Sequence, residues 1–97
     1  DVKQVTLSAD AARRLGIRTA RVRPDDVIPA AAVLYDPGGT TFTYISPKPL
    51  VFMRSPISVE RIERGQAFLS KGPPAGTAVV TVGSQELVGV ENGVEED

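Results

Sequence analysis

Val33-Leu34-Tyr35-Asp36-Pro37-Gly38-Gly39-Thr40-Thr41-Phe42-Thr43-Tyr44-Ile45 reads as two strands closed by a turn. Asp36 precedes a proline, which holds it extended. Pro37 presets its own φ for a turn, and Gly38 can take the positive φ that a type II turn needs one residue later. Beyond the turn, Phe42 and Tyr44 share one face of the strand, with Thr41 and Thr43 on the other, because strand side chains alternate. The chain holds three Phe, two Tyr and no Trp. Tyr35, Phe42 and Tyr44 all fall in this hairpin, which marks it as the seat of the core.

The flanking sequence continues the same pattern. Eight prolines and nine glycines in 97 residues punctuate the chain at short intervals, as expected for short strands between frequent turns. Toward the N-terminus, Val2, Val5 and Leu7 mark an extended segment. Ser8 is an N-cap, Asp10 sits in the first turn, and Gly16 stops the helix, so the spacing predicts a helix over 9–15. Leu15 and one or two of the alanines should face inward. Ile17–Arg23 returns to strand character and Pro24-Asp25-Asp26 breaks it. Pro29 belongs at a strand start or edge, since it donates no ladder bond.

Toward the C-terminus, Ser46-Pro47-Lys48-Pro49 reads as a connection and Leu50–Met53 as a short apolar strand. Arg54-Ser55-Pro56 should bulge or break it. Ile57 and Val59 alternate with Ser58 and Glu60, Glu63-Arg64-Gly65-Gln66 reads as a hairpin turn, and Ala67-Phe68-Leu69 as the return strand. Thr77–Val82 is the most continuous β-branched run and is expected to be an interior strand. Gly83-Ser84 should cap a turn of helix from Gln85 to Val88, with a loose chain from Gly89 onward. The expected fold is mainly β: a small antiparallel roll or barrel of six or seven short strands with one or two short helices, in one domain. Within it, 1–27 form an opening segment with the short helix, 28–94 the β domain and 95–97 an acidic tail.

Composition removes several function classes. There is no cysteine and no histidine. Disulfides, thiolate nucleophiles, zinc-thiolate sites and Ser-His-Asp chemistry are therefore excluded. Glu60 and Glu63 are each followed by an arginine, the pattern of a charge-compensated surface. Asp25-Asp26 and Glu95-Glu96-Asp97 lack the spacing of a cation-binding loop. Gly38-Gly39 is not followed by a helix pattern with Lys-Ser/Thr and is not a phosphate loop. Neither a catalytic set, a cofactor nor a metal site is expected, and the reading is not that of an enzyme.

Net charge is −1, but residues 1–23 carry a net +4 and residues 84–97 a net −5. Such polarity can orient a protein on its partner. The basic segment has no aromatic and no reading motif, which argues against nucleic acid. There is no apolar run of about 18 residues, so no membrane-spanning helix is expected.

The order of these signals resembles the periplasmic adaptor subunits of bacterial efflux pumps, the membrane fusion proteins. The likeness runs through Val5-Thr6-Leu7-Ser8, Ala11–Ala20 and Ile28-Pro29-Ala30-Ala31-Ala32-Val33-Leu34-Tyr35-Asp36. It continues through the Gly38-Gly39 turn, Phe42-Thr43-Tyr44-Ile45, Ile57-Ser58-Val59, and Gly72 with Ala75 to Leu87. It covers the membrane-proximal domain over about residues 28–94, and the first twenty residues are similar to the segment that opens many adaptors. Two departures stand out. Pro73-Pro74 replaces the family's usual Leu-Lys. Only seven residues separate Ala20 from Ile28, where a full adaptor carries its lipoyl-like domain, α-hairpin and β-barrel domain.

The resemblance implies a non-catalytic, extracytoplasmic module of the periplasm or cell envelope. By the same resemblance it docks on an inner-membrane transporter or another envelope protein, is membrane-associated without spanning, and is tethered or lipid-anchored before residue 1. Oligomerisation stays open. The expected partner contacts are Arg18, Arg21 and Arg23 on the early strand, with the tips Pro37-Gly38-Gly39 and Arg64-Gly65; turn geometry alone also accounts for the glycines and proline of those tips. A small-ligand binding or sensing module associated with transport is the alternative, and it needs an apolar pocket with a few polar groups.

Overall fold

The structure, a computed structural model, describes residues 4–91. The acidic tail and Val2 lie outside the described residues. The elements follow in order: β1 (Gln4–Thr6), α1 (Ala9–Leu15), β2 (Arg18–Arg21), β3 (Val27–Pro29), a 3-10 turn (Ala30–Ala32), β4 (Leu34–Tyr35), β5 (Thr41–Lys48), β6 (Val51–Pro56), β7 (Ser58–Glu63), β8 (Gln66–Lys71), β9 (Ala78–Val82) and α2 (Ser84–Glu91). The fold is mainly β and wholly antiparallel in its recorded pairings. Among the described residues nine strands form two sheets, more than the six or seven expected, and the three-residue β3, which ends in Pro29, is too short to stand out in sequence. One sheet has six strands in the order β1-β6-β5-β9-β2, with β4 also on β5; the other has three in the order β3-β8-β7. The sheets curl as a roll and do not close into a barrel.

The six-stranded sheet is buried on both faces. On one side Phe42, Tyr44, Phe52, Val80 and Leu87 make a core on which Ala11, Ala12 and Leu15 of α1 and Val88 of α2 pack. On the other, Val79 and Ile45 meet Ile28, Ala32, Ile57, Ala67 and Leu69 of the second sheet and its approaches. Val79 and Val80 are adjacent on β9 and both fully buried, which identifies β9 as the interior strand its β-branched run suggests. The same layering buries Thr43, on the face opposite Phe42 and Tyr44. It is fully buried, and its Oγ1 has no hydrogen-bond partner.

Local chemistry accounts for the ends of α1. The Ser8 hydroxyl accepts from Ala11 N at 3.0 Å, and Gly16 adopts φ 70° while Ile17 N bonds back to Ala12 O. Ser8→Ala should cost about 1 kcal/mol by removing one orphan-donor partner, read as a lower urea midpoint with an unchanged slope. At the β7–β8 hairpin Arg64 and Gly65 both take positive φ, 52° and 75°, the pairing that suits the right-handed twist of a two-residue turn.

Four local expectations are corrected. In the β4–β5 turn the positive φ belongs to Gly39, at 89°, and not to Gly38. Asp36 decides this, because its Oδ1 accepts from Gly38 N at 2.9 Å and Thr40 N at 3.0 Å, which winds the turn tightly around the side chain. Ser46–Lys48 continue β5 through a bulge, so Pro49 and Leu50 make the connection, with Leu50 at φ 67°. Arg54-Ser55-Pro56 neither bulges nor breaks β6, which runs straight through to a Phe42↔Pro56 pair. Finally, Gly89–Glu91 are helical and extend α2 well past Val88.

Candidate functional site

The sequence-predicted contacts fall into three separate places. Arg18 and Arg21 lie on β2, which ends the six-stranded sheet; both are exposed, as is Arg23 just beyond the strand. Pro37, Gly38 and Gly39 form the exposed β4–β5 tip, and Arg64 and Gly65 the exposed β7–β8 tip. The Gly65 carbonyl is also structural, since it accepts from Ala30 N at 2.9 Å. The three arginines differ in their ties. Arg23 pairs with Asp25 at 3.3 Å. Arg21 donates from Nη1 to the Gly76 carbonyl at 2.8 Å, which holds its guanidinium at the mouth of a cleft. Neither Arg18 nor Arg21 has an ion-pair partner among the described residues.

The sheet edges differ in what they present. The β7 edge carries Arg61 between Glu60 and Glu63, at 3.8 and 3.1 Å, so its charge is internally compensated. The β3 edge ends in Pro29, which offers no donor, and β1 is only three residues long. That leaves β2. Val22 N bonds to Thr77 O at 2.9 Å, and antiparallel alternation then turns Ala20 toward β9 and the main-chain groups of Thr19 and Arg21 outward. Arg18 and Arg21 give this edge two exposed positive charges.

Two clefts flank the sheet. One, of about 340 Å³, opens beside Tyr35 and is walled by Asp36, Phe42, Arg54, Gln85 and Val88. Tyr35 is 66 % exposed, the most exposed of the large apolar side chains. The other, of about 580 Å³, lies where β5 and β9 part, with Arg21 on one wall and Lys48 on the other.

Sequence reading missed a buried polar cluster behind the first cleft. Glu91, at the end of α2, accepts from Tyr44 Oη at 2.5 Å and from Arg54 Nε at 2.7 Å. Its side chain is 8 % exposed, against 27 % for Arg54. The Arg54 guanidinium carbon also lies 4.2 Å from the Phe42 ring centre, and Phe42 meets Tyr44 edge-on at 5.6 Å. The Tyr44↔Arg54 register position puts both side chains on the face that α2 covers. Burial and the neighbouring Glu91 carboxylate push the Tyr44 phenol well above its usual range, and the same carboxylate holds Arg54 more firmly protonated. The partners lie 37 and 47 residues apart, so no local motif announces them. The cluster closes on Glu91 Oε1, which accepts both bonds, and its geometry is that of a clasp for α2.

No protein-family model matches this chain, and neither a curated protein nor a solved structure is significantly similar to it.

Proposed function

We propose that this chain is a non-catalytic docking module of the cell envelope whose partner is an inner-membrane transporter, with the outer edge of β2 as the contact. The carrying observation is that edge: two arginines, Arg18 and Arg21, with no ion-pair partner among the described residues, beside outward main-chain groups. Strand addition to an open sheet edge uses the main chain for affinity and side chains for selection. The reading also draws on the resemblance of residues 28–94 to the membrane-proximal domain of periplasmic adaptors. The opening segment adds β1 and β2 to the sheet of β5, β6 and β9, through β1 on β6 and β2 on β9.

The test places a photo-cross-linker at position 18 of the full-length native protein in its own cells. Capture of an inner-membrane transporter subunit, reduced severalfold by Thr19→Pro, is the expected result. Proline at that position removes an outward donor and not a ladder bond, so the fold should survive, and an unchanged melting curve checks this. Capture of soluble proteins alone would overturn the reading.

A further inference from the structure

We propose that the cleft between the diverging ends of β5 and β9 binds an extended, acidic polypeptide segment, with Arg21 and Lys48 engaging its carboxylates. This rests on the docking reading above and names the chemistry of the partner that reading requires.

The argument begins with the sheet. β5 and β9 pair at a single register position, Ile45↔Val79. Beyond it β5 follows β6 through a bulge to Lys48, while β9 starts only at Ala78. A gap of about 580 Å³ opens between them. Its walls carry two cations, Arg21 and Lys48, and no carboxylate. Neither cation has an ion-pair partner among the described residues. The Gly76 carbonyl, 2.8 Å from Arg21 Nη1, takes only one of the guanidinium's donors, leaving the others for an incoming oxygen. Ile45, Pro47, Pro49 and Ala78 supply apolar surface between the charges.

Charge complementarity fixes the sign of the occupant, and geometry fixes its class. Arg21 and Lys48 are both exposed, and exposed ion pairs are individually weak. A free small anion therefore gains too little from two of them. A polypeptide adds contacts with Pro47 and Pro49 along the same wall as Lys48. Alternation of side chains along an extended segment would put carboxylates on one side and apolar groups on the other.

The test titrates the isotope-labelled protein with a capped octapeptide alternating valine and glutamate, its lysine counterpart, and glutarate alone. The expected result is that the glutamate peptide alone shifts the amide signals of Ser46, Lys48, Thr77 and Ala78. Binding should weaken with added salt, and Arg21→Gln and Lys48→Gln should each weaken it about threefold. Both side chains are on the surface, so an otherwise unchanged amide spectrum verifies each variant. Equal binding of the lysine peptide, shifts mapping outside the cleft, or an equal response to glutarate would each overturn the proposal, the last in favour of a small-anion site. Cross-linking to a transporter without peptide binding overturns this inference alone. Peptide binding without transporter capture overturns the transporter reading and leaves the cleft assignment standing.

Discussion

Tyr44→Ala is expected to lower the stability of this domain by about 4 kcal/mol, and Tyr44→Phe by about 1–2 kcal/mol. Tyr44 is fully buried and sits in the core between Phe42 and Leu87. Truncation to alanine removes a whole ring from a close-packed layer and leaves a cavity the surrounding strands cannot close, since β5 is held by β6 on one side and by β4 and β9 on the other. It also takes one donor from the Glu91 carboxylate. Truncation to phenylalanine keeps the ring and removes only that donor, while Arg54 still satisfies Glu91. A small domain has about 5–10 kcal/mol to lose, so the alanine variant should be part-unfolded at modest urea and the phenylalanine variant fully folded. Equal urea midpoints for the two would contradict the buried position assigned to the Tyr44 ring, and a phenylalanine variant as stable as the parent would contradict its hydrogen bond to Glu91.

The same residue sets an alkaline limit. The phenol is neutral when protonated, and its folded-state pKa is raised above the usual 10.0. Its contribution to stability is therefore complete below pH 10 and is lost as pH rises from there toward the folded-state value, because the unfolded chain releases the proton first. From this group alone the loss is about 1.4 kcal/mol per pH unit. Tyr44→Phe should flatten the stability–pH curve above pH 10 by that slope, and leave it unchanged between pH 6 and 9. Urea titrations at half-unit pH steps would measure it.

What was legible in the sequence was what is local. Ser8 and Gly16 delimit α1 because capping is decided within four residues. The Glu63–Gln66 hairpin was legible because arginine and glycine at its centre leave few other turns. The interior position of Thr77–Val82 followed from β-branching on both faces. Three features escaped for a shared reason. Leu50 carries a left-handed conformation that its side chain disfavours; the Lys48↔Val51 pair and the bond from Leu7 N to Leu50 O, at 2.9 Å, hold it there. Lys48 joins Arg21 across 27 positions only because β5 and β9 separate beyond Ile45. Glu91 extends α2 by bonding to strands far back in the chain, against the low helix propensity of Gly89. Of the expected contact residues, Arg21 lines the cleft that pairs it with Lys48 and Pro37 lines the cleft beside Tyr35, whereas Gly38, Gly39, Arg64 and Gly65 line neither.

Leu87→Ala should cost about 3 kcal/mol, and the manner of loss would test how α2 is held. Leu87 is the only fully buried apolar side chain of that helix among the described residues. Its N–H bonds to the Gly83 carbonyl at 3.1 Å, and Gly83, at φ 90°, makes the turn out of β9. The helix is thus fixed near its start by Leu87 and at its end by the Glu91 clasp. Without Leu87 the clasp and the partly buried Val88 and Val90 would have to hold a helix with one glycine and no fully buried anchor, and a short helix is marginal with a weakened apolar face. Amide exchange across 84–91 should then rise far more than exchange in β5 and β9. Glu91→Gln should behave differently: the neutral amide oxygen still accepts from Tyr44 and Arg54, so the cost should be about 1 kcal/mol and the added exchange confined to the last turn. If Glu91→Gln loosened the whole helix as much as Leu87→Ala, polar contacts and not apolar burial would be what seats α2 on the sheet.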